Sequence, residues 1–139
     1  MNFYNPIKRL SCITFAFVIL IVPAYAADAT PSRNEAGPDP TRLVGRWLRP
    51  DGGYVLDLSD PGSDGQLKAA YFNPRPIHVS HAAWKLRKGH LIAYVELRAP
   101  NYPGSTYTLI YDPVRDRLVG IYFQAAIRQK FEVEFERIP

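Results

Sequence analysis

Between positions 43 and 137 apolar and polar residues alternate in short runs, and no segment keeps a helical period of 3.6. The last run is the clearest: Phe131, Val133 and Phe135 alternate with Lys130, Glu132, Glu134 and Glu136, giving one apolar and one charged face. Arg137 continues the apolar face. The same period groups Tyr54 with Leu56 and Leu58, Leu67 with Tyr71, Leu91 with Val95 and Leu97, Tyr107 with Leu109 and Tyr111, and Leu118 with Tyr122 and Gln124. Eight runs result, over 43–49, 54–59, 66–72, 77–86, 90–98, 105–111, 117–123 and 129–137. Turn chemistry separates them: Pro50-Asp51-Gly52-Gly53, Asp60 to Gly65, Asn73-Pro74-Arg75-Pro76, Arg87-Lys88-Gly89, Pro100 to Gly104 and Asp112 to Asp116, with a weaker turn at 125–128. The fourth run loses its alternation after Val79, which predicts a bulge.

Eight hairpin-linked strands predict an all-β domain over 42–139, an antiparallel up-and-down barrel in which closure removes the exposed edges. A two-sheet sandwich is the alternative that fits the same pattern.

The residues ahead of the first run change the picture. Lys8 and Arg9, the apolar stretch 12–22, and Pro23 before Ala24-Tyr25-Ala26 read as a secretory signal peptide over 1–26. Residues 27–41 carry three prolines, a glycine and no large apolar residue, and read as a flexible tail. The whole chain has 17 basic and 13 acidic residues, net +4. Loss of Lys8 and Arg9 leaves 15 against 13, so a nucleic-acid partner loses its electrostatic support. Cys12, the single cysteine, would leave with the signal, and disulfides, thiolate metal sites and cysteine nucleophiles leave with it. The expected location is periplasmic or secreted, with no membrane attachment after cleavage.

Gly45-Arg46-Trp47 in the first run and the inward Arg137 in the last resemble the calycin superfamily of lipocalins, fatty-acid-binding proteins and avidins. In that resemblance the tryptophan closes one end of the barrel and a cationic side chain from the final strand packs over its indole, through a cation–π attraction of about 0.5–2 kcal/mol. The stretch 47–71 looks more like an avidin opening than a lipocalin one, while the polar pattern that contacts biotin does not reappear. The resemblance implies a calycin-like β-barrel with Trp47 and Arg137 as its structural closure.

An eight-stranded barrel is either filled by side chains or holds one small ligand. Tyr54, Tyr71, Tyr107, Tyr111 and Tyr122 have inward parity with Gln124, whereas Tyr94 and Tyr102 do not. Their hydroxyls need partners, so these six residues are the candidate lining of a cavity for a small amphipathic or aromatic ligand; a barrel filled by the same tyrosines is the competing reading. His78 and His81 fall on opposite faces of a regular strand, which disfavours a shared metal, and Asp60 and Asp64 lack the ligand spacing of a calcium loop. Ser80 lies near both histidines without an orienting acid, and no paired carboxylates face each other. No enzyme activity, cofactor or metal is expected. The second functional class is a protein-interaction module, an inhibitor of a secreted hydrolase acting through its tail and outer surface. It resembles in outline the bacterial metalloprotease inhibitors, although that family carries a disulfide and this chain's only cysteine lies in the signal segment.

Overall fold

A computed structural model describes residues 37–139. The expected signal peptide and most of the expected tail, 1–36, lie outside the described residues. Pro40 and Thr41, which close the expected tail, open a 3-10 helix, Pro40–Leu43, whose N-cap Asp39 accepts a hydrogen bond from the Thr41 amide. Leu43 belongs to this turn rather than to the first strand and is fully buried.

Nine antiparallel strands follow: β1 (Gly45–Arg49), β2 (Tyr54–Ser59), β3 (Lys68–Asn73), β4 (Arg75–Ile77), β5 (Val79–Arg87), β6 (His90–Ala99), β7 (Tyr102–Asp112), β8 (Arg117–Gln124) and β9 (Gln129–Ile138). They form one sheet in the order β4-β3-β2-β1-β9-β8-β7-β6-β5, an up-and-down barrel that is nearly closed. The sandwich alternative falls, because a single sheet runs through every strand.

The count is nine rather than eight because the fourth run divides at His78. Asn73 and Arg75 pair directly across Pro74, so β4 folds back on β3, while β5 pairs with β6 and carries the expected irregularity between Val79 and His81. Proline explains the short β4 ladder. Pro76 opposes Phe72 but has no amide to donate, which confines such a strand to a sheet edge.

The two ends of the folded chain close the barrel, with Trp47 opposite Arg137 where β1 meets β9. The seam therefore lies between β3 and β5, in the middle of the sequence. It is fastened at one point: Gln66 bridges Ala83, the Trp84 amide donates to the Gly65 carbonyl at 2.8 Å, and the Trp84 indole donates to the Gly62 carbonyl at 2.8 Å.

Inside, Leu56, Leu58, Val95, Leu97, Leu109, Leu118 and Phe135 are fully buried in one core cluster. The carboxylates Glu134 and Glu136 face outward, where both pair with Arg117. Alternation along each strand thus separates an apolar core from a charged exterior.

Candidate functional site

The two ends of the barrel differ. At one end the indole of Trp47, fully buried, donates to the Leu43 carbonyl at 3.0 Å and meets the Tyr111 ring edge-on at 6.2 Å. The Arg137 guanidinium lies 4.0 Å from the indole centroid. Its N–H groups donate to the carbonyls of Arg42 (2.7 Å) and Val44 (2.6 Å) and to the Asp116 carboxylate (2.7 Å). The cation therefore satisfies backbone acceptors of the 3-10 turn while its face covers the indole, and this end is sealed.

The opposite end is open. Arg49 from β1, Tyr54 from β2, Tyr71 from β3, Tyr102 and Tyr107 from β7, Tyr122 and Gln124 from β8, Phe131 from β9 and Asn101 from the β6–β7 turn surround a hollow of about 280 Å3. The rings form a continuous aromatic wall, with Tyr54 stacked on Tyr71 at 6.2 Å and Tyr107 stacked on Tyr122 at 4.6 Å. Tyr71 and Tyr107 hydroxyls share a hydrogen bond of 2.9 Å. Tyr102 accepts from the Asn73 amide at 2.6 Å.

Arg49 is the charged centre of this end. Its side chain is only 12% exposed, and its guanidinium lies 5.1 Å from the Tyr54 ring centroid and 5.8 Å from that of Tyr122. Nε and Nη2 donate to the two oxygens of Asp51 at 2.6 and 2.7 Å, and Nη1 reaches the Tyr107 hydroxyl at 3.4 Å. Burial opposes the arginine's charge, but the Asp51 and Tyr107 hydrogen bonds outweigh it and hold the guanidinium protonated. Burial pushes Tyr107 up to about 12 and raises Tyr71 further, so both phenols stay protonated. Asp51 is held below its ordinary value by the hydrogen bonds from Arg49.

Five of the six candidate lining residues, Tyr54, Tyr71, Tyr107, Tyr122 and Gln124, thus meet at one mouth. Tyr111 does not. It donates to Asp116 at 2.9 Å beside Trp47, at the sealed end, because four residues along β7 carry the chain about 13 Å from Tyr107. Parity places a side chain inside a barrel but says nothing about which end.

Arg49, Asn101, Tyr102 and Phe131 also line the mouth. Tyr102, read as outward, lines the mouth because the β6–β7 register shifts between Leu97 and Arg98, and the extra residue changes its face. Arg49 shares the inward parity of Trp47, two residues on, which is the signal in the sequence that could have found it. Other candidates stay apart. His78, His81 and His90 are all exposed, and among the described residues no cluster of three metal-ligating side chains forms. Asp60 pairs with Lys68 at 2.7 Å and Asp64 accepts from the Gln66 amide at 3.1 Å, as turn residues do. No helix among the described residues is long and apolar enough to cross a membrane.

No protein-family model, curated protein or solved structure matches this chain. Stacked phenol faces, hydroxyl tips and a half-buried guanidinium can together grip a small planar molecule and orient one polar end of it.

Proposed function

We propose that the protein is an exported, calycin-like binding barrel that holds one small aromatic or amphipathic molecule at the mouth formed by Arg49, Tyr54, Tyr71, Tyr102, Tyr107 and Tyr122. One observation carries the reading: the Trp47 end is sealed, while the Arg49 end opens into a hollow on which tyrosine hydroxyls and a guanidinium converge. The volume, about 280 Å3, suits a ligand of one or two rings. The tyrosine rings already pack against one another, so binding would order few side chains and lose little entropy. The leader-like first 26 residues support export, and Gly45-Arg46-Trp47 with Arg137 supports the calycin-like assignment.

The test is a thermal-shift screen of small aromatic and lipidic compounds, since a ligand of the native state raises its stability by mass action. A dose-dependent rise that weakens in the Tyr107→Phe/Tyr122→Phe double variant, with the variant still folded by circular dichroism, is the expected result. Unchanged affinity in that variant would remove the mouth as the site.

A further inference from the structure

We propose that the outer face of β6, β7 and β8 is a self-complementary surface on which a second copy of this chain docks, about a two-fold axis running along β7.

The outward positions of a barrel wall that faces water are polar, and the flanking strands obey this rule. β9 turns Glu132, Glu134 and Glu136 outward, and β5 turns Lys85 and Arg87 outward. The three strands between them do not. Residues 91–95, 107–111 and 118–123 are almost continuously apolar, the pattern of strands covered on both faces. Register sets their outward members side by side: Ile92 lies opposite Ile110 and Ile110 opposite Val119, while one row along Tyr94 lies opposite Thr108 and Thr108 opposite Ile121. Ile110 is 44% exposed and Ile121 37%, and Val114, on the turn beyond the end of β7, is 91% exposed. Two grooves run beside β7 on this face, one of about 540 Å3 walled by Ile110, Val119 and Ile121, the other of about 250 Å3 walled by Ile92, Tyr94 and Thr108. A contiguous exposed apolar patch with a charged rim marks an interaction surface.

The rims say what covers it. The same two rows reach Lys85 on the β5 side and Glu134 and Glu132 on the β9 side, so one rim is basic and the other acidic. A two-fold axis along β7 lays β6 over β8 of the second copy, brings Ile110 against its own counterpart, and sets each basic rim over the other copy's acidic one. Glu134 and Glu136 are already held by Arg117, whereas neither Lys85 nor Glu132 has an ion pair among the described residues. The matching ends one row closer to the mouth, where His81 and Lys130 occupy the two rims. Because the barrel curves away at β5 and β9, the rim charges orient the encounter while the apolar centre supplies the attraction. From β5 to β9 and from Thr108 to Val114 the face covers about 20 Å by 20 Å, the small end for a specific interface, so the dimer is expected to dissociate in the micromolar range. None of these side chains lines the mouth, which stays open in the pair.

Sedimentation velocity over a concentration series through the micromolar range tests the pairing, and the wild type is expected to pass from monomer to dimer. Ile110→Lys sets like charges against each other at the axis and is expected to weaken association by about tenfold or more, with its circular dichroism unchanged. Lys85→Glu and Glu132→Lys should each weaken association by about fivefold. Mixing those two variants should restore it, because in the mixed pair both rim contacts again join opposite charges. A wild type that stays monomeric throughout overturns the inference, and so does a dimer that survives Ile110→Lys. If Ile110→Lys loses its fold, the mixing experiment decides alone: single variants that associate as well as the wild type, or that stay apart when mixed, overturn the two-fold pairing.

Discussion

The Arg137 guanidinium occupies the space that a side chain at Gly45 would fill. Gly45 also has φ of 140°, a conformation that residues with a Cβ rarely adopt. The glycine two positions before Trp47 is thus the gap through which an arginine from the last strand reaches the indole. Gly45→Ala is expected to push Arg137 off Trp47 and to destabilise the fold by roughly 1–3 kcal/mol. Urea unfolding followed by tryptophan fluorescence measures both effects, and wild-type stability in this variant would show that the close approach is dispensable.

Trp47 joins the 3-10 turn, β7 and β9 at the sealed end. It is fully buried, and its truncation would leave a void lined by Leu43, Tyr111 and Arg137. Trp47→Ala should cost about 3–5 kcal/mol, as large core truncations do, and Trp47→Phe should cost less because a ring remains under Arg137. Denaturant midpoints order the three proteins; equal midpoints for Ala and Phe would contradict the stacking role.

Asp116 links the sealed end to pH. The Arg137 hydrogen bond, aided by that from Tyr111, holds its carboxyl below the ordinary 3.8. A carboxyl lowered in the folded state stabilises the fold above its unfolded value and loses that contribution as pH falls through the folded value. Stability is expected to be flat above about pH 5 and to decline below about pH 4. Asp116→Asn should flatten part of that acid limb; because the carboxylate is 48% exposed, the effect is modest. An acid limb identical to that of the wild type would rule the pair out as its source.

Tyr71 and Tyr107 answer each other's hydroxyl in a buried place. Removing one leaves the other without that partner, so Tyr107→Phe and Tyr71→Phe should each cost about 1–3 kcal/mol, while the double variant should cost less than the sum. A double-mutant cycle by urea unfolding gives the coupling. Strict additivity would mean that water already serves both hydroxyls.

The seam at β5 depends on Trp84, whose indole and amide both donate across it. Trp84→Phe keeps the ring and removes the indole donor to Gly62. Hydrogen exchange of the β5 amides is expected to accelerate while that of β7 and β8 stays slow, because β5 has strand neighbours on only one side. Uniform acceleration would indicate global destabilisation instead.

Sequence alone determined the all-β class, the strand alternation and most of the inward-facing residues. A period of two across hairpin-length turns leaves one packing solution for Leu56, Leu109, Leu118 and Phe135, because the opposite faces carry Asp57, Glu134 and Glu136. The approach of Arg137 to Trp47 was expected only through the resemblance carried by Gly45-Arg46-Trp47 and Arg137. Tertiary structure decided the rest. Where the chain crosses the seam, the fourth run divides at His78 between two strands, and where β6 meets β7 a register shift changes the face of Tyr102. The division of the tyrosines between mouth and floor depends on distance along the barrel axis, which alternation does not encode. Parity makes Arg49 inward but does not show its half-burial, because the ring faces of Tyr54 and Tyr122 and the carboxylate of Asp51, which compensate for drawing its charge partly out of water, come together only in the fold.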